Sequence, residues 1–336
     1  MQAKVIRKNV TIHDVAKDLG VSPSTVSRAI SGKGRIGSET REKILNYIEE
    51  HNYHPNAAAQ SLANSRTGNI AMVLPEVKTL AEMPFFQHCM YAVGEIAQLN
   101  DYDLLVVNGD GTDTSSLERL IRNQKVDGMI LSRTYCDDVY SKLLQENGMP
   151  FVCIGQIPDS DCVQVDHDNL AACRELTEIL LSKGLNNIAY LGSGMGQMVN
   201  RIRYQGYETA HMESGRVLDA NLIYLNLDSR CKIEQAVDEL LKKKVDCILC
   251  QDDIICDVVV HKLEEKNVSV PEDIKIASCH YSKLLEHYPI GITSLRFNVE
   301  ELGRAACRAL LELIEGKKVS RKILLDYEVR LKESTK

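Results

Sequence analysis

Between residues 22 and 28 the chain reads SPSTVSR, which groups the hydroxyls of Ser22, Ser24, Thr25 and Ser27 and the guanidinium of Arg28 around one apolar residue, Val26. Short hydroxyls suit phosphate oxygens and base edges, and a guanidinium matches the two acceptors that guanine shows in a major groove. Such groups read DNA only when a helix carries them into the groove. The flanking residues supply that helix. Ser22 is a good N-cap, and Pro23 suits the first helical position, where a missing N–H costs nothing. Val26, with Ala29 or Ile30, gives the helix expected over 23–30 a buried side. An earlier helix is announced by Thr11 as N-cap with Asp14 three residues on, and Ile12, Val15, Ala16 and Leu19 recur at helical spacing. Gly20 ends it and Val21 anchors the turn. A third helix should open at Ser38, with Glu39 and Glu42 in its first turn and Ile44, Leu45 and Ile48 closing a small core. Two short capped helices one glycine apart form a helix-turn-helix, a spacing unusual in purely structural bundles. Thr11, Ser22, Pro23, Ser24, Thr25, Ser27 and Arg28 are therefore the expected DNA contacts.

Charge is divided in a way that fits this reading. Residues 1–66 hold 10 Lys or Arg against 6 Asp or Glu, and the remainder holds 30 against 41. A basic head on an acidic body lets the head alone approach phosphates, so the net charge of −7 does not argue against nucleic acid. The 336 residues exceed one compact core and suit a small domain plus a larger bilobed one. No apolar run reaches membrane-spanning length, and the N-terminus lacks a signal-peptide core. The eleven cysteines fit a reducing compartment, so a cytoplasmic protein is expected. Cys247 and Cys250 form a CxxC, but they lie in the apolar run VDCILC without a second pair, and buried thiols are expected rather than a metal site.

After residue 66 short apolar runs alternate with amphipathic stretches. Strands are expected at 69–74, 103–107, 126–131, 150–154, 187–191, 222–225, 246–250 and 274–279, with helices near 85–99, 114–122, 137–146, 168–183, 200–213, 231–242 and 253–265. Near-continuous apolar strands with helices between them mean parallel sheets covered on both faces, here in two doubly wound lobes of an α/β fold. A last helix, 299–315, and one strand, 323–329, would recross between the lobes. No GxGxxG or GxxxxGK[ST] follows a strand, so no nucleotide cofactor is expected. Nor is there a nucleophile elbow or paired metal spacing, which argues against an enzyme.

These features together resemble the lactose-repressor (LacI/GalR) family of bacterial transcription regulators. The resemblance rests on VTIHDVAKDLGVSPSTVSRAISG, SETREKI and NYHPNAAAQSLA, then on Pro84-Phe85-Phe86, VQVDHDN, RYQGY, CQDD, VPEDI and TSLRFNVEELGRAA, and so covers essentially the whole chain. It implies a headpiece over 1–55, a hinge helix over 56–66 and a periplasmic-binding-protein-like core over 67–336. Within the core the N-lobe would span about 67–165 and 295–320, and the C-lobe about 166–292 and 321–333. Pro23 and Ser24 fall at positions that choose the operator, and Arg28 at a base-contacting one. Asn56, Ala59 and Leu62 fall in the hinge, with Leu62 as the side chain that wedges into the minor groove and kinks the duplex. Pro23 departs from the polar residue many members carry, and offers only an apolar ring.

For the cleft, the resemblance places Arg203 as the effector clamp, three residues before Gly206, and Phe86 as the aromatic that stacks on the effector. Asp252 falls where many members carry Asn, and His280 where an Asp binds effector hydroxyls. If those two share the cleft they would pair and make binding depend on pH. Glu76 and Asp166 are further candidates from their loop positions. The expected ligand is a sugar or sugar derivative, with a phosphorylated or anionic one left open. A homodimer on palindromic DNA follows, because one small helix reads too few base pairs. The chain stops seven residues past ILLDYEV with no apolar repeat left over, so a dimer rather than a tetramer is expected.

Overall fold

A computed structural model describes residues 10–32, 34–51, 53, 66–75, 84–158 and 160–336. The expected contacts Asn56, Ala59, Leu62 and Glu76 lie outside the described residues. The chain forms two compact units, residues 1–67 and 68–336.

The first unit holds α1 (Ile12–Asp18), α2 (Pro23–Ser31) and α3 (Ser38–Glu50). Thr11 and Asp14 close a reciprocal capping box: the Thr11 amide donates to Asp14 Oδ2 at 2.9 Å, and the Asp14 amide donates to Thr11 Oγ1 at 3.3 Å. Gly20 carries the turn at φ +66°, a left-handed conformation that an L side chain resists. Ser22 caps α2 by accepting the Thr25 amide at 3.1 Å. Val15, Ala16, Val26, Ala29, Ile44 and Tyr53 make the core. α3 opens at Ser38 as expected, behind Gly37 as its N-cap with no side-chain cap bond. One expectation fails here. Leu45 is 42% exposed, because Ile44 and the half-buried Ile48 already fill the helix face that meets α1 and α2. Truncating Ile44 to alanine should cost about 2–5 kcal/mol. In so small a unit that melts the headpiece: amide exchange in 12–50 should lose protection while the melting temperature of residues 68–336 holds. Retained protection would contradict the packing.

The second unit runs β1 (Asn69–Leu74), α4 (Pro84–Leu99), β2 (Asp103–Asn108), α5 (Ser115–Arg122), β3 (Gly128–Leu131), α6 (Val139–Glu146), β4 (Phe151–Ile154), β5 (Val163–His167) and α7 (Asn169–Ser182). It continues with β6 (Ile188–Leu191), α8 (Met198–Glu213), β7 (Ile223–Tyr224), α9 (Arg230–Leu240), β8 (Cys247–Cys250), α10 (Asp253–Glu265), β9 (Lys275–Ser278), β10 (Thr293–Phe297), α11 (Val299–Ile314), β11 (Lys322–Leu325) and β12 (Tyr327–Arg330). One sheet has the order β11-β5-β4-β3-β1-β2 and the other β12-β10-β9-β8-β6-β7. All strand pairs are parallel except β10 with β12. Each sheet is packed on both faces, which is why β1, β3, β4, β6 and β8 read as unbroken apolar runs.

The chain passes between the sheets at three places: after His167, after Phe297 and after Leu325. The expected lobe limits shift accordingly. Residues 293–297 are a strand of the second sheet, not the start of the first lobe's return at 295. Lys322–Leu325 belongs to the first sheet, not to a C-lobe segment from 321. The single strand expected over 323–329 is two strands broken at Asp326, one paired with β5 and one with β10. VQVDH and TSLRF, read only as family marks, are β5 and β10.

Candidate functional site

The carboxyl ends of both sheets face one cleft of about 1030 Å³, open solvent at its mouth included. The first sheet brings Ser132 and Arg133 after β3, Ile154 and Gly155 at the end of β4, and Asp166 and His167 at the end of β5. The second brings Ser193 after β6, Asp252 and Asp253 after β8, and His280 after β9. This is where ligands sit in open α/β sheets, since loops and helix starts converge there. Helix starts add Phe85 and Phe86 from α4 and Asn169 from α7, and α8 adds Asn200 and Arg203.

Arg203 is fixed by its surroundings. Its Nε donates to Asn169 Oδ1 at 3.0 Å and its Nη1 to the Gln251 carbonyl at 3.1 Å, while its guanidinium lies 5.8 Å above the Phe297 ring. Asn169 Nδ2 donates in turn to Asp166 Oδ1 at 3.1 Å, and Gln156 Nε2 to Asp166 Oδ2 at 3.3 Å. A chain of polar contacts therefore runs from Arg203 on the second lobe, across the first crossover, to Asp166 on the first. A planar fork held in this way is pre-organised for a polar ligand.

His280 does not pair with Asp252. Its Nδ1 lies 2.9 Å from Asp253 Oδ1, and Ser282 also donates to Asp253. Asp252 is spent as the N-cap of α10, accepting the Ile255 amide at 2.9 Å, because its φ and ψ are extended where the strand ends. Burial pushes the Asp252 carboxyl up, and the neighbouring Asp253 adds to this. Burial also acts on Asp253, but the hydrogen bonds and charge of His280 outweigh it and hold that carboxyl below its usual value. The expected acid–histidine pair exists, one residue along.

Phe86 is 4% exposed and packs edge-on to Phe85 at 5.2 Å, with the Arg133 guanidinium 4.9 Å from its ring centre. It is at once core and cleft wall. Phe85 is the ring that reaches toward His280, at 6.3 Å. Behind them Phe297 stacks on His280 at 6.1 Å and meets His167 at 4.9 Å, so two of the three crossover strands, β5 and β10, end in one aromatic cluster.

Burial shifts Asp166 and His167 in opposite senses. Burial pushes the Asp166 carboxyl up to about 6, against hydrogen bonds from Gln156 and the His167 amide. Burial pushes the His167 ring down to about 4. An acid raised from 3.8 binds more protons folded than unfolded, so its term lowers stability as pH rises toward about 6. A histidine lowered from 6.5 binds fewer, so its term raises stability between about pH 4 and 6.5. The two slopes oppose. Asp166→Asn removes the first alone, and its stability should then climb more steeply than wild type over that window, by up to about 3 kcal/mol. Urea melts that track each other across the window would contradict this.

On the first unit, Ser24, Ser27 and Arg28 share the exposed face of α2, and Pro23 is half-buried at its start. Ser22, Ser24 and Thr25 are less available than their types suggest: the Ser22 hydroxyl lies 2.8 Å from both the Ser24 and the Thr25 hydroxyls. Thr11 is exposed but committed to its own capping box. Among the cleft residues that sequence reasoning did not single out are Arg133, His167, Asn169, Gln197, Asn200 and Phe297. His167 and Asn169 had a signal, since both sit inside VQVDHDN. Gln197 and Asn200 had none, because their place depends on where α8 begins.

Two family descriptions match the chain: "Bacterial regulatory proteins, lacI family" over residues 11–56, and "Periplasmic binding proteins and sugar binding domain of LacI family" over 67–335. The HTH-type transcriptional regulator MalR of Streptococcus pneumoniae is 30% identical over 331 residues, covering 94% of this chain and 95% of that protein. Among solved structures, a complex of the transcriptional regulator CelR with cellobiose superposes with a TM-score of 0.72 at 27% identity, over 97% of this chain and 100% of the other. The lac repressor dimer bound to operator and an anti-inducer gives 0.82 at 21% identity, over 98% and 99% of the two chains, a likeness of fold.

Proposed function

The chain belongs to the lacI family of bacterial regulatory proteins, and from that membership we propose that it represses transcription as a homodimer on a two-fold symmetric operator, under control of a sugar or sugar derivative in the cleft. The observation that carries the proposal is the placement of Arg203, wired through Asn169 to Asp166 beside the first crossover. A ligand gripped there draws on both lobes and biases the angle between them. A change in that angle is a rigid-body transition of the kind that moves attached DNA readers. The sugar assignment is supported by the polar clamp beside the Phe85 and Phe86 rings and by the similar regulator solved as a cellobiose complex.

Ser24, Ser27 and Arg28 read the groove, Pro23 contributes shape, and Leu62, with Asn56 and Ala59, works the minor groove. A protein that reads chromosomal DNA acts in the cytoplasm, and its cleft binds its ligand without converting it. The test is a band shift with the full chain on a duplex selected from a random pool. Arg28→Ala should lower specific affinity about 10- to 100-fold, as the loss of one bidentate base contact does, and leave nonspecific binding near wild type. Full specific affinity in that variant would remove Arg28 from the reading head.

A further inference from the structure

Cys153 on β4 and Cys162 at the mouth of β5 place their sulfurs 3.7 Å apart. The strands are parallel neighbours with Cys153 opposite Gln164, so Cys162, two residues earlier, points to the same face, and both thiols pack in one apolar cluster. Cys153 is fully buried, whereas Cys162 is 8% exposed beside the turn that joins the strands. Its own amide donates to Ser160 Oγ at 3.3 Å, which fixes the backbone that carries it. We propose that Cys153 and Cys162 are a peroxide-sensitive pair that closes to an intramolecular disulfide.

The chemistry balances with hydrogen peroxide as oxidant. The Cys162 thiolate attacks one peroxide oxygen, the O–O bond breaks, and hydroxide leaves and is protonated, giving a sulfenic acid. The Cys153 sulfur then displaces the sulfenic oxygen as a second water, the S–S bond forms, and the two thiol protons end in the waters. Cys162 is the attacking sulfur. Its hydrogen bond with Cys153 leads the contacts, with Ser160 and Gln164, that bring its thiol down to about 7 despite burial, while burial holds Cys153 well above the usual thiol value. Cys162 stands diagonal to Cys153 rather than opposite it, so the sulfurs close from 3.7 Å to bonding distance with a local shift of the residues at the mouth of β5 toward β4. The bond would tie together the two strands whose next residues, Ile154 and Gly155 on one and Asp166 and His167 on the other, line the cleft.

The test treats the native full chain with hydrogen peroxide, alkylates remaining thiols after denaturation, and maps disulfides by peptide mass. The expected result is loss of two titratable thiols and about 2 Da, assigned to Cys153–Cys162 and reversed by dithiothreitol. Cys162→Ser should abolish it, with a melting temperature near wild type showing that the variant is folded. Cys136→Ser, which removes an exposed thiol, should leave it intact. No disulfide, a bridge between other cysteines, or Cys162 oxidised to sulfinic acid while Cys153 stays free would each overturn the proposal.

Discussion

Replacing Arg203 with alanine should raise the dissociation constant of the effector about 100-fold or more, because the charged hydrogen bonds of the proposed ligand clamp disappear. The removal also strands Asn169 Oδ1 and the Gln251 carbonyl, which now receive the guanidinium at 3.0 and 3.1 Å. Arg203→Lys keeps the charge but not the fork, and it should recover only part of the loss. Operator affinity in the absence of effector should stay near wild type in both variants, because the α2 reading face lies in the other unit. Calorimetry with the compound that most raises the melting temperature, paired with a band shift, separates the two effects. An alanine variant that binds effector within about threefold of wild type would remove Arg203 from the clamp, since one charged hydrogen bond alone is worth more than that.

Gly206→Ala should lower the melting temperature of the second unit by several degrees. Alanine ordinarily stabilises a helix interior by about 1 kcal/mol relative to glycine, so the sign is diagnostic. Here a Cβ would lie 2.6 Å from the Leu170 carbonyl oxygen, 2.8 Å from Cys173 Cβ and 2.9 Å from the Arg174 amide nitrogen. Two of those neighbours are backbone of α7 and cannot rotate aside, so α8 must back away. Overpacking of this kind costs about 1–3 kcal/mol beyond the propensity gain. Arg203 sits one turn earlier on α8, and Asn169 at the start of α7, so parting the two helices should also weaken effector binding. Calorimetric melting of the full chain reads the first effect. A variant more stable than wild type would mean that the helices are not in backbone contact.

Most of the sheet framework was legible because its strands are buried on both faces and so appear as apolar runs. Those that escaped notice, VQVDH and TSLRF, carry polar residues where they reach the cleft and the crossovers. Asp166 and His167 end β5 at the first crossover and line the cleft, so that strand serves the site as well as the core. Splitting 323–329 at Asp326 was likewise invisible, since ILLDYEV has one hydrophobic rhythm and only the two sheets' positions divide it. The cleft acids were legible by position but not by partner. Asp252 and Asp253 are adjacent, and which one caps α10 and which meets His280 depends on the backbone at the end of β8. In the headpiece the caps of α1 and α2 and the core positions Val15, Val26 and Ile44 were readable from spacing. The availability of Ser22 and Thr25 was not, because a cap uses the same hydroxyls a phosphate would.

The central claim, that a cleft ligand governs DNA reading, is tested most directly by fluorescence anisotropy on the duplex the full chain enriches from a random pool. Its affinity is measured with and without the compound that most raises the melting temperature. A palindromic duplex is predicted, with affinity changed about 5- to 150-fold by the compound, and with no such change in Arg203→Ala. An affinity that the bound compound leaves untouched would contradict the coupling between cleft and operator.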